Sequence, residues 1–297
     1  MSEPVDGSSP PSEPSEETDD AVTAAMALAM HELLDAPGAA PASGDALPPL
    51  WHWMAFVPRV PQRCIGADGH PNPSPLLATV AVGRRMFASG ELTFEHAVTI
   101  GESIHRTTKI ASIEDKTGRS GSLRFVTLRH HLAAAGTRAV VEDQHLVYRP
   151  AVDGPSTTGP DTRPDAESDT RPEAGQMWQW ASEIVPDPTL LFRFSALTYN
   201  AHRIHYDREY ATQVEGYTGL VVHGPLQAIL LAELCRRNAP DRTLTAFRFR
   251  AVRPAFEGSP LQFVGRFDGP SRVVLAAIDH GGRITMRAEA DLAEYSA

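Results

Sequence analysis

The apolar positions of this chain repeat on two different periods, and the change of period marks out its elements. Over residues 20–34 the spacing is helical, with Met26, Met30, Leu33 and Leu34 on one face of an alanine-rich stretch. Asp19 or Asp20 is placed to cap this helix and Pro37-Gly38 to end it. An aromatic-dense run follows at 50–56 (LWHWMAF), then turn punctuation at 66–78 (GADGHPNPSPLLA). Residues 84–100 predict a short strand pair turning around Ser89-Gly90. Three runs rich in Thr, Val and Ile occupy 102–114, 122–131 and 138–148, with turns at Gly118/Gly121 and Gly136, and they predict long antiparallel strands.

A second series starts near Trp178. Residues 190–197 predict a strand, and 219–237 a turn followed by a helix. The run QAILLAELC at 227–235 is apolar enough for that helix to be buried on every side. Residues 243–254, 260–267, 271–279 and 283–293 predict four more strands, separated by Glu257-Gly258, Asp268-Gly269 and Gly281-Gly282. Each series is a central helix followed by long antiparallel strands, so the pattern predicts a duplicated α+β fold without a residue-level repeat. Between the two series, 151–176 is rich in proline and alternating charge and carries DTRP twice, which predicts a linker. The expected organisation is a disordered acidic tail at 1–19, an N-terminal unit at 20–150, the linker at 151–176 and a C-terminal unit at 177–297.

Composition narrows the classes. The formal charge is −10, and seven acids with no base lie in the first twenty residues, so the remainder is only mildly acidic. That argues against nucleic acid as a partner, because such proteins carry a basic face. Two distant cysteines, Cys64 and Cys235, give no disulfide framework and no cysteine zinc site. No apolar run is long enough for a membrane helix and the acidic start is not a signal peptide, so a cytoplasmic protein is expected.

Candidate chemistry is concentrated in residues 194–226, where Asn200, His202, His205, Asp207 and His223 precede the buried helix. Asp207, ahead of REYA, is placed to cap a short helix. His202 and His205 are spaced like a metal pair but lack a third ligand nearby, so no metal is expected. Arg248, Arg250 and Arg253 lie along one predicted strand, with Arg248 and Arg250 on a shared face. That face is either solvated or placed to meet phosphate groups.

The run 199–207 (YNAHRIHYD), together with VVHGPL at 221–226, resembles the signature of MaoC-type R-specific enoyl-CoA hydratases and thioester dehydratases, which have hotdog folds. The stretches at 68–77, 84–92, 113–130 and 141–149 are similar to the double-hotdog branch of HTD2-like dehydratases, which includes mesaconyl-C4-CoA and itaconyl-CoA hydratases. The resemblance implies two hotdog repeats, each a long central helix wrapped by a curled antiparallel sheet, with the catalytic segment in the C-terminal unit and a non-catalytic N-terminal unit that shapes the acyl pocket. It implies a hydro-lyase acting at C2–C3 of an enoyl- or 3-hydroxyacyl-CoA, presented as the CoA ester or on an acyl carrier protein. No cofactor is expected beyond the coenzyme A of the substrate. By resemblance His205 is the acid/base and Gly224 offers its N–H to the thioester carbonyl, while Asn200 stands where the hydratases have an aspartate. An amide cannot act as a base, so Asn200 is expected to position water. Tyr199, His202, Gly219 and His223 are the candidate substrate contacts, and for His202 and His223 a role in shaping the loop stands beside that one. Two other classes remain open from sequence: a catalytically silent acyl-CoA-binding hotdog and a hotdog thioesterase. Fused halves suit a monomer or a homodimer.

Overall fold

The computed structural model describes residues 14–81, 83–118, 121–149, 172 and 177–293. The N-terminal half contains β1 (Ser15–Asp20), α1 (Ala24–Leu33), β2 (Arg84–Phe94), β3 (Ile104–Gly118), β4 (Gly121–Ala134) and β5 (Thr137–Arg149). The C-terminal half contains β6 (Trp180–Ile184), α2 (Pro188–Leu197), α3 (Gly224–Asn238), β7 (Leu244–Ala251), β8 (Leu261–Phe267), β9 (Arg272–Asp279) and β10 (Ile284–Leu292). All these strands join one antiparallel sheet in the order β1-β3-β4-β5-β2-β7-β10-β9-β8-β6. That order reads the same from either edge once β1 is matched with β6 and β2 with β7. The halves meet where β2 pairs with β7, from Ser89 opposite Arg250 to Thr93 opposite Ala246.

The same matching pairs α1 with α2. Each helix is ten residues long and side-chain capped, by Thr23 Oγ1 accepting from Met26 N (3.3 Å) and by Asp187 Oδ1 accepting from Leu190 N (2.7 Å). The long central helix therefore exists only in the C-terminal half among the described residues. There α3 is buried continuously from Leu226 to Cys235. Leu226, Ile229 and Leu231 are wholly enclosed, and each contributes about 1.5–3 kcal/mol by leaving water. In the N-terminal half the equivalent span holds the loop running to residue 81, with a 3-10 turn at Gln62–Cys64 and, before it, another at Trp51–Met54. A polar cluster lies under that turn, where buried Glu142 accepts from Trp53 Nε1 (3.0 Å) and contacts His52 Nε2 (3.2 Å). One apolar core runs through both halves, from Met30, Trp51 and Ile104 to Leu226, Phe247 and Phe263.

Several sequence expectations need correction. The acidic tail is expected to be disordered through residue 19, yet Ser15–Asp20 is an edge strand on β3, while 1–13 lie outside the described residues. Its acids have partners: Glu16 accepts from Leu76 N, Asp19 pairs with His105, and Asp20 accepts from Phe56 N and Arg59. Neither Asp19 nor Asp20 caps α1; Thr23 does. The expected strand at 190–197 is helix α2, because Asp187-Pro188 supplies an N-cap and a first-turn proline and Leu190, Leu191 and Phe194 recur at helical spacing. Ser89-Gly90 is no turn but the middle of β2, where a Cβ on Gly90 would meet the Phe249 ring at 2.7 Å. The glycine lets that ring cross the seam between the halves. The expected linker at 151–176 lies, apart from Pro172, outside the described residues.

Candidate active site

Helix α2 stops at Leu197, and Tyr199 turns the chain back with φ of +50°, a left-handed conformation unusual for an aromatic residue. The reversal closes as Asn200 N donates to Ser195 O (2.8 Å), and Asn200 Oδ1 then accepts from His202 N (3.0 Å). A 3-10 turn at Arg203–His205 carries the His205 ring into the interior. Asp207 does cap the next short helix, accepting from Tyr210 N (3.0 Å) and binding the Arg203 guanidinium (2.7 Å).

The bonding of His205 settles which ring nitrogen holds the proton. Nδ1 lies 2.7 Å from the carbonyl oxygen of Val221, which can only accept, so Nδ1 donates and Nε2 keeps its lone pair. Burial pushes the His205 pKa down to about 4; the Val221 bond opposes that and positive charge at His70 adds to it. At neutral pH His205 is thus an uncharged imidazole with a free acceptor nitrogen, the state a general base needs.

His223 stacks on His205 with ring centroids 3.6 Å apart and planes 19° from parallel. Its Nε2 lies 2.9 Å from Ser195 Oγ, while its buried Nδ1 has no partner. An unpartnered N–H would cost more than an unpartnered lone pair on a neutral ring, which puts the proton on Nε2, donated to Ser195. Burial, with His205 and His202 adding to it, holds its pKa well below that of a free histidine. His223 is also the residue from which α3 begins, so Gly224 opens the helix just beside the two rings. The first N–H groups of a helix lack intrahelical acceptors and carry the positive end of its dipole. A neutral imidazole beside a helix N-terminus is an arrangement that can take a proton from water and hold negative charge on a carbonyl oxygen.

Of the other sequence candidates, Tyr199 is largely exposed and Gly219 packs near Glu257, which also accepts from Leu220 N (3.1 Å). Arg248 is tied to Asp291 across the sheet at 2.8 Å.

Two residues were missed. Asp68 and His70 come from the N-terminal half, on the turn at 66–70, and reach the same loop. Arg203 N donates to Asp68 O (2.8 Å), and the Arg203 guanidinium donates to Ala67 O (3.1 Å). His70 Nδ1 sits 2.9 Å from Asp68 Oδ2, and its ring packs on His202 with centroids 3.9 Å apart. Burial pushes the His202 pKa down to about 2, with charge at His70 and His205 adding to it. The sequence signal was the GADGHP turn itself, which puts a histidine next to an obligatory glycine, but nothing in one chain says which loop it meets. Asp68, His70 and His202 hold donor atoms within 4.8 Å of one another. Asp68 and His70 are already hydrogen-bonded to each other, and the two imidazoles lie in a tilted stack.

Comparisons with known proteins agree with one another. A family model described as hydroxyacyl-thioester dehydratase type 2 matches residues 50–257. The chain is 41% identical over 278 residues to mesaconyl-C(4)-CoA hydratase of Chloroflexus aurantiacus, covering 93% of this chain and 95% of that one. It is 41% identical over 81 residues to the mitochondrial hydroxyacyl-thioester dehydratase type 2 of Schizosaccharomyces pombe, 27% of each chain. Among solved structures, a MaoC-like dehydratase from Phytophthora capsici superposes with a TM-score of 0.68 at 14% identity, over 95% of this chain and 96% of that one. A Mycobacterium tuberculosis protein described as having a double hotdog fold superposes with a TM-score of 0.58 at 14% identity, over 95% and 96%. At such identities these two establish the fold, a double hotdog.

Proposed function

Because the chain belongs to the hydroxyacyl-thioester dehydratase type 2 family, we propose that it is a hydro-lyase acting at C2–C3 of an acyl-CoA. The observation that carries this is the position of His205, neutral and with a free Nε2, beside the N-terminus of α3. In the hydration direction His205 Nε2 takes a proton from water as the oxygen bonds to C3. The C2–C3 π electrons move toward the thioester, and the resulting enolate oxygen is held by the Gly224 N–H with the helix dipole behind it. The proton then passes to C2, the carbonyl reforms and His205 is neutral again. Dehydration is the same sequence reversed. Asn200, whose Oδ1 already fixes the loop through His202 N, keeps its NH2 to orient the water.

Phe87 on β2 lies nearest Gly224 from the N-terminal half, and its ring packs with Trp53 and Phe249. This aromatic group is placed to receive the acyl chain. The similarity to a mesaconyl-C(4)-CoA hydratase favours a branched, dicarboxylic acyl group. Both halves lie in one chain, so the site needs no second copy to complete it. Among the described residues no helix is long and apolar enough to cross a membrane, and both cysteines are free thiols, which supports a place in the reducing cytoplasm.

The test is a screen of purified protein against enoyl- and dicarboxylyl-CoA esters, following the conjugated thioester absorbance with a thiol-reactive dye in parallel. The expected result is loss of absorbance without release of free thiol. Thiol release would make it a thioesterase, and binding without either signal would make it a silent acyl-CoA-binding protein.

A further inference from the structure

The loop that carries His205 is held from both sides. On one side His205 stacks on His223, which is anchored by Ser195. On the other side its ring meets the His202 ring edge-on, with centroids 5.5 Å apart, and His202 is covered by His70. The four imidazoles form a continuous row that starts at Asp68 and ends at Ser195. The row's first residues, Asp68 and His70, belong to the N-terminal half. The turn that supplies them fits tightly: Gly69 has φ of +90°, and a Cβ there would collide with the Ala201 carbonyl oxygen. Asp68 is bound twice to His70, through the backbone N–H and through Nδ1, both at 2.9 Å.

We infer that Asp68 and His70 are a positioning pair for His205, through which the N-terminal half takes part in catalysis by fixing the base and setting its electrostatic surroundings. This rests on the reading of His205 as the base. Asp68 orients His70 by accepting its Nδ1 proton, and His70 in turn holds His202 against the edge of His205. The groups facing His70 are Asp68 on its own turn, His202, His205 and Arg203 on the site loop, and Arg85 on β2, whose charge is felt at His202. Burial alone would raise the Asp68 pKa, but the hydrogen bonds from His70 hold it well below the ordinary carboxylate range, so the pair keeps its negative end at working pH. Positive charge at His70 makes a second proton on His205 less favourable, which keeps the base free.

The experiment compares His70→Phe, His70→Gln and Asp68→Asn with wild type. The readouts are steady-state hydration across pH and the titration of the imidazoles by proton–nitrogen NMR. Phenylalanine keeps a ring against His202, so it separates packing from charge. The expected result for both His70 variants is a kcat reduced about ten- to a hundred-fold, the usual effect of losing a group that orients a functional histidine, with KM little changed. The acid limb of kcat/KM and the His205 midpoint should move to higher pH, because protonated His205 is no longer opposed by charge at His70. Asp68→Asn should lower kcat in the same way, because His70 loses the acceptor that orients it. A His70→Phe protein with wild-type kcat and an unmoved His205 midpoint would overturn the inference while leaving the hydratase reading intact. If no thioester were hydrated by any of these proteins, that reading would fail, and the NMR midpoints would still decide the role of His70.

Discussion

At Gly224 there is room for a side chain. An added Cβ would lie 3.7 Å from Phe87 Cδ1 and 3.9 Å from Met286 Cε, ordinary contact distances, and the backbone is not left-handed. Packing and conformation therefore do not demand glycine, which leaves close approach by a ligand as the reason for it. Gly224→Ala is expected to melt within a few degrees of wild type and to lose about a hundred-fold in kcat/KM, because the added methyl keeps the thioester oxygen away from a backbone N–H that is still there, which costs as much as losing one oxyanion donor. Thermal melts and hydration assays on the same preparation check this. Unchanged activity would place the thioester oxygen elsewhere. The reverse argument applies at His205: residue type and spacing marked it in the sequence, but its protonation state comes from the Val221 carbonyl sixteen residues away and from burial, neither of which a spacing shows.

Among the elements, the long strands and α3 were legible because their periods are unambiguous and their turns are glycine-marked. Helix α2 was misread because LLFRF alternates well enough to pass for a strand, and the Asp-Pro start that decides the matter precedes it. Strand β1 was hidden by its acids, which read as unburiable until their partners at His105, Arg59 and Leu76 are brought alongside by the fold. The expected central helix of the N-terminal half was a false equivalence, since α1 corresponds to α2 rather than to α3. The turn at 66–70 overlaps a stretch that carries the family resemblance, but its place in the site is not legible from sequence, since its contact with 201–203 spans more than 130 residues of chain. That docking is testable at Gly69. Gly69→Ala is expected to cost about 1–3 kcal/mol from strain alone, measured by urea denaturation, because its φ disfavours any other residue and the Ala201 carbonyl fills the space. A neutral substitution would show that the turn does not seat against the site loop.

Taken whole, the molecule is a duplicated plan whose two copies have diverged in what fills them. The C-terminal half keeps the long helix and therefore the helix N-terminus, while the N-terminal half replaces it with two short turns and a loop that returns to the other half's site. A continuous sheet through β2 and β7 and one shared core keep both contributions in register. The proposed reaction rests on His205 doing the proton chemistry of that combined site. The most direct measurement is the rate of absorbance loss on an enoyl-CoA substrate for wild type and His205→Ala at equal concentration and matched melting behaviour. The account predicts a fall of about 10²–10⁴-fold in kcat, the contribution of a positioned acid/base group. A His205→Ala protein that hydrates at the wild-type rate would contradict it.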